Sequence, residues 1–202
     1  MYKIFILCIS FLIFGINGFS QSISDYFLTN VGTIYNYETF NTNSGEKVLH
    51  ETRIIDQSAT GEFPGEVLVL YRYKNNYSST AKVFSVQKDQ VGIVLEQNTF
   101  GKPTNYIPYS VILKLGGEWT GRSSDHSEFY EYEAKKGSCS IGNVEYSDCI
   151  IVTKNIFLSG KYYGTEITYY AKEIGYILQK LIDSEGNPSK FLTVLTSYEL
   201  GS

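Results

Sequence analysis

The chain has 202 residues, 43% of them hydrophobic and 19% charged, which suffices for one domain with a real core and excludes wholesale disorder. Lysine and arginine number 17 against 21 acidic residues, a net charge of -4, so no basic excess exists to neutralise phosphates and no nucleic-acid partner is expected. Tyrosine is abundant at 18 residues and proline scarce at 4, a balance that favours pleated, half-buried sheet.

Residues 1–20 read as a secretory signal peptide. Lys3 gives the positive start, Ile4 to Phe14 form an apolar run of about eleven residues, and Gly18 and Ser20 supply small side chains before a cleavage site. The run is too short to span a bilayer as a helix, which takes about 20 residues. Cys8 lies early in that run, directly behind Phe5-Ile6-Leu7, and lacks the small residue that a lipidation signal places before its cysteine. Cleavage after Ser20 is expected to leave a single domain over 21–202, exported to the periplasm or beyond, with no transmembrane segment. It also leaves Cys139 and Cys149, a candidate disulfide in an exported chain.

The first expected element is a short helix near Ser24 to Asn30, capped by Ser24 or Asp25 and stopped by Gly32. Beyond it the hydrophobic period is two. Strands are expected near 33–41, 46–56, 66–73, 80–88, 91–98, 107–115, 128–133, 149–153, 160–172, 175–183 and 190–199. Turn signals separate them, among them Asn43-Ser44-Gly45, Pro64-Gly65, Asn75-Asn76, Gly116-Gly117, Gly142-Asn143 and the run from Asp183 to Pro188. Within 66–73, Val67, Val69, Tyr71 and Tyr73 share one face, with Leu68, Leu70 and Arg72 on the other. In 128–133, Tyr130 and Tyr132 oppose Glu131 and Glu133, while Cys149 to Thr153 is apolar on both faces. Many strands and almost no helix make the chain all-β: one large curved antiparallel sheet, an open half-barrel that buries its concave face.

Residues able to do chemistry are few. Asp125, His126, Glu128, Glu131 and Glu133 form the one cluster of metal-ligand types. Strand alternation would put only His126 and Glu128 together, short of the three or four ligands that zinc takes. His50 stands alone on a sheet surface, and no Gly-x-Ser-x-Gly elbow accompanies either histidine. No catalytic set, metal site or cofactor is therefore expected. Cys139 and Cys149 lie ten positions apart across the Gly142-Asn143 turn, a spacing compatible with a cross-strand bridge. Trp119, the only tryptophan, follows a Gly-Gly turn. With Tyr130, Tyr132, Tyr169 and Tyr170 it makes up the candidate aromatic surface, for sheet packing first and ligand stacking second. Asn76-Tyr77-Ser78 is a formal glycosylation sequon.

Three segments carry a resemblance. Asp25 to Tyr37 resembles the DYFPLxxGxxWxY opening of many exported bacterial proteins, Gly142 to Ile150 is similar to their aGtFxDCi segment, and Tyr169 to Leu178 resembles their YYAKGVGLVK signature. Together, and in this order, they resemble the TapB-like family, a domain of unknown function. The resemblance implies an open, curved antiparallel sheet like the half-barrels of lipoprotein carriers such as LolA. It brings no catalytic residues. Leu28 stands where the pattern has proline, Ile34 or Tyr35 where tryptophan is common, and Glu173 where a glycine is usual. In the residues themselves, Gly32, Ala171, Lys172 and Gly175 read as structural: two strands joined through a glycine corner at Gly175.

These readings lead to a non-catalytic protein of the cell envelope. Its concave sheet face is expected to bind an apolar ligand, a lipid or acyl chain, because little helix is available as a lid. The alternative is a structural or protein-interaction component whose sheet is packed solid and whose partner is another envelope protein. Large side chains filling the concave face would favour the second, an unfilled groove the first.

Overall fold

In the computed structural model, residues 21–27, 29–57, 66–75, 77–98, 110–123 and 126–201 are described. The segment 1–20, Leu28, Pro64-Gly65, Asn76 of the sequon and Asp125 lie outside them. The strands are β1 (Ile34–Asn41), β2 (Lys47–Gln57), β3 (Glu66–Lys74), β4 (Tyr77–Val86), β5 (Gln90–Asn98), β6 (Ser110–Lys114), β7 (Gly117–Arg122), β8 (Glu128–Ile141), β9 (Val144–Leu158), β10 (Lys161–Ala171), β11 (Gly175–Asp183) and β12 (Pro188–Glu199).

All twelve strands form one sheet in the order β6-β5-β4-β3-β2-β1-β12-β11-β10-β9-β8-β7, every ladder antiparallel. Each strand pairs with its neighbour in sequence, as short connections favour, and β12 returns to β1. The circle is complete except between β6 and β7. There the Trp119 indole N–H donates to the Val111 carbonyl at 2.8 Å, tying the two edges by a side chain instead of a ladder. The sheet is thus nearly closed into a barrel, the all-β curved architecture that the period-two pattern predicts.

Three expectations change. β7 is a strand where the sequence shows only a turn followed by tryptophan; Gly117 and Gly121 lower its strand propensity, and pairing with β8 overrides that. β8 and β9 run well beyond the expected 128–133 and 149–153 and meet in a tight hairpin at Gly142-Asn143. The expected helix is one 3₁₀ turn, Ile23–Asp25, with Ser22 before it. The Asp25 carboxylate accepts the Ser22 backbone N–H at 3.2 Å, so Asp25 caps from inside the turn.

That turn plugs one end of the barrel. Ile23 and Tyr26 are fully buried, and Phe27 packs on Phe84 with ring centroids 5.2 Å apart. Around the plug, Tyr35, Ile55, Leu68, Phe84, Val91, Leu113, Ala134, Ile150 and Tyr170 make the main core. A second, smaller core lies across the sheet, on the convex face. It holds Cys149, Ala171, Ile177 and Leu178, with Cys139 brought over by the β8–β9 hairpin.

Candidate functional site

The three segments that carried the family resemblance converge at the plugged end. The Tyr26 hydroxyl donates to Asp148 at 2.6 Å, the Glu173 N–H to the Asp25 carbonyl at 2.6 Å, and the Lys172 N–H to the Asp148 carbonyl at 2.9 Å. The Lys172 ammonium lies 4.0 Å from the Asp148 carboxylate, and Ala171 faces Cys149 in the ladder. Gly175 has a φ of +95°, and a Cβ there would come within 3.3 Å of the Tyr35 hydroxyl, so the corner between β10 and β11 requires glycine. Glu173 also takes a left-handed conformation, at a φ of 63°, in the place where the family pattern has glycine. Gly32, with a φ of +85°, turns the chain from the plug into β1, and its N–H donates to the Ile55 carbonyl at 2.8 Å.

Beside the plug the barrel holds a cavity of about 390 Å³ that side chains do not fill. Its floor is apolar: Phe27, Ile55, Phe84, Ile93, Ile112 and Val152. One ladder step farther from the plug the inward side chains change character. Arg53 faces Arg72 across β2 and β3, Lys82 faces Leu70 across β3 and β4, and Lys154 faces Glu166 across β9 and β10.

Charge buried in a barrel must be compensated. Glu51, 3% exposed, accepts the Nε–H of Arg53 at 2.5 Å and the Nε–H of Arg72, so one carboxylate bridges two guanidiniums. Burial pushes the Glu51 carboxyl up; the two arginines outweigh it and hold the group below the ordinary glutamate value. Arg53 is clamped between aromatic faces, its guanidinium carbon 4.3 Å from the Tyr37 ring centroid and 4.5 Å from that of Tyr176. Burial raises the Tyr37 hydroxyl well above its ordinary value and Tyr176 to about 12, so both stay neutral donors. Tyr37 donates to the Tyr176 carbonyl at 3.0 Å, which fixes the clamp.

The sequence-predicted aromatics divide. Tyr132 and Tyr170 line the cavity. Tyr130 donates to Glu128 and carries the Lys154 ammonium 4.2 Å over its ring. Trp119 lies flat on Tyr132 at 5.0 Å, with an interplanar angle of 3°, so that face is occupied from within the protein. Tyr169 points to the convex side, beneath Lys180, away from the cavity. Cys139 and Cys149 stand at disulfide distance, with Cα atoms 6.1 Å apart, and a register shift at Gly137/Cys139 brings them together.

Among the described residues the acidic cluster is dispersed. His126 sits before β8 with a φ of 59°, while Glu131 and Glu133 lie on the outer face, where Glu133 pairs with Lys135 at 2.8 Å. No group of three metal-ligating side chains occurs among the described residues. His50 shares the outer face of β2 with Thr52, 3.4 Å away.

The sequence reading missed the inward charges Glu51, Arg53, Lys82, Lys154 and Glu166. One signal was present: Arg72 shares its face with Leu68 and Leu70, and that face points inward.

Fold and site define a class: a nearly closed, up-and-down antiparallel barrel, plugged at one end, with an internal cavity of mixed polarity. No protein-family model matches the sequence, and no curated relative matches it. The likeness to the TapB-like family therefore rests on the three segments alone. Two solved structures are similar to the chain. One is a candidate exported protein with a YmcC-like fold from Bacteroides fragilis, at a TM-score of 0.54 and 11% identity, covering 86% of this chain and 98% of that one. The other is a candidate lipoprotein from Parabacteroides distasonis, at a TM-score of 0.52 and 13% identity, with the same coverage of 86% and 98%. At such identity the likeness establishes the fold. No helix among the described residues is long and apolar enough to cross a membrane.

Proposed function

We propose that this chain is an exported, non-catalytic protein of the bacterial cell envelope that binds an apolar ligand, a lipid or acyl chain, inside its barrel. The carrying observation is the cavity of about 390 Å³ that the inward side chains leave beside the plug. A cavity of this size lies within the usual range of ligand sites. Export is supported by the signal-like segment 1–20 and by the two exported-type proteins that share the fold. A non-catalytic role is supported by the dispersed acidic cluster and the isolated histidines.

The test is to express the full chain, recover the exported form, and compare its native and denatured masses. A discrete, lipid-sized increment in the native mass is the expected result, with a denatured mass that starts at Gln21. Bare protein, from gentle and harsh purification alike, would overturn the reading in favour of a partner-binding component.

A further inference from the structure

The cavity is not lined as a purely apolar ligand would require. Phe27, Ile55, Phe84 and Val152 offer a chain-sized apolar surface, yet Arg53 and Lys154 lie one ladder step above it on facing walls. Glu51 bridges Arg53 and Arg72, and among the described lining residues four cationic side chains, Arg53, Arg72, Lys82 and Lys154, accompany one carboxylate, Glu166. Arg53 is moreover pre-organised between Tyr37 and Tyr176. A third observation points the same way. Tyr170 is 7% exposed and lines the cavity, within electrostatic reach of Arg53, and its hydroxyl has no protein hydrogen-bond partner among the described residues. A buried hydroxyl of that kind is normally satisfied.

Resting on the reading above, we propose that the occupant is an anionic amphiphile. Its alkyl chain lies on the floor beside the plug, and its carboxylate or phosphate headgroup is held by Arg53 and Lys154, with the Tyr170 hydroxyl donating to it. Cationic donors held inside the barrel make such charge-assisted bonds, and an alkyl tail supplies the apolar burial that a free phosphate cannot. The headgroup's negative charge adds to the compensation that Glu51 and Glu166 supply.

The test uses the mature chain freed of endogenous ligand and three probes of equal chain length: palmitate, hexadecyl phosphate and hexadecanol, titrated calorimetrically. One or both anions should bind at least roughly tenfold more tightly than hexadecanol, as charge-assisted hydrogen bonds imply. The preferred anion tells carboxylate from phosphate. Lys154→Gln and Arg53→Gln should each remove most of that preference, read as the ratio of anion to hexadecanol affinity in the same variant, and thermal midpoints identify any variant that fails to fold. Tyr170→Phe, which removes only the hydroxyl, should weaken the anion alone. Equal affinity for hexadecanol and the anions, or a preference that survives both Lys154→Gln and Arg53→Gln, overturns the inference while the ligand-binding reading stands. Failure of all three probes to bind overturns that reading itself.

Discussion

The plugged end and the charged half of the barrel are lined by the same strands, one ladder step apart, yet their interiors are filled by different means. At the plug, Ile23 and Tyr26 enter the barrel and are fully buried, and Phe27 packs on Phe84; polar groups there, such as Asp148, are bound to the plug itself. In the charged half no segment enters among the described residues, and Arg53 is held by Glu51 and two tyrosine rings beside the cavity. The first region is built for stability. The second gives up apolar burial around a cavity, the feature on which the proposed ligand binding rests, and a buried ion pair rarely stabilises more than well-packed apolar residues would.

The largest expected effect tests the plug. Tyr26→Ala removes a fully buried ring and its bond to Asp148 and should cost ~3–5 kcal/mol in denaturant unfolding. A loss under about 1 kcal/mol would show that the 3₁₀ turn is not part of the cooperative core.

The charged half should respond less to substitution and more to pH. Glu51→Gln leaves two guanidiniums without their carboxylate and should cost ~2–3 kcal/mol at neutral pH, moderated by the partial exposure of both arginines. In the native protein the Glu51 carboxyl lies below its ordinary value of 4.5. A depressed carboxyl stabilises the fold fully above the unfolded value, and that contribution is lost as pH falls through the folded one. Unfolding between about pH 5 and pH 2 should therefore be shallower for Glu51→Gln than for the parent. Parallel acid limbs would mean that Glu51 is not what the arginines hold.

The smallest effect returns to the plugged end. Glu173→Gly relieves a left-handed backbone without touching the N–H bond to Asp25, and should raise stability by up to ~1 kcal/mol, offset in part by greater freedom of the unfolded chain. A drop in the thermal midpoint would show that the Glu173 side chain contributes more than the strain costs.

Much of this was legible in order along the chain. The alternation in 66–73 put Leu68, Leu70 and Arg72 on one face, and the barrel has that face inward. The hairpin at Gly142-Asn143 brought Cys139 to Cys149, although the bulge that aligns them has no local signature. Gly175 was readable as a corner; its neighbour Tyr35, the reason no side chain fits, was not. The cavity itself was hidden, because Glu51, Arg53 and Lys154 look in sequence like ordinary outward-facing charges. Whether a charged residue faces water or a cavity depends on which face of its strand the closing sheet turns inward, and on which residues stand opposite.

The sequence by itself determined the all-β class, turns such as that at Gly142-Asn143, and the glycine corner, since period, turn chemistry and spacing are properties of neighbours along the chain. Only the tertiary structure decided that β12 closes on β1, that the Asp25-Tyr26-Phe27 segment is a plug, and that Glu51, Arg53 and Lys154 share one interior. Those facts follow from register and closure, which join residues far apart in sequence and are selected by the packing of the whole sheet.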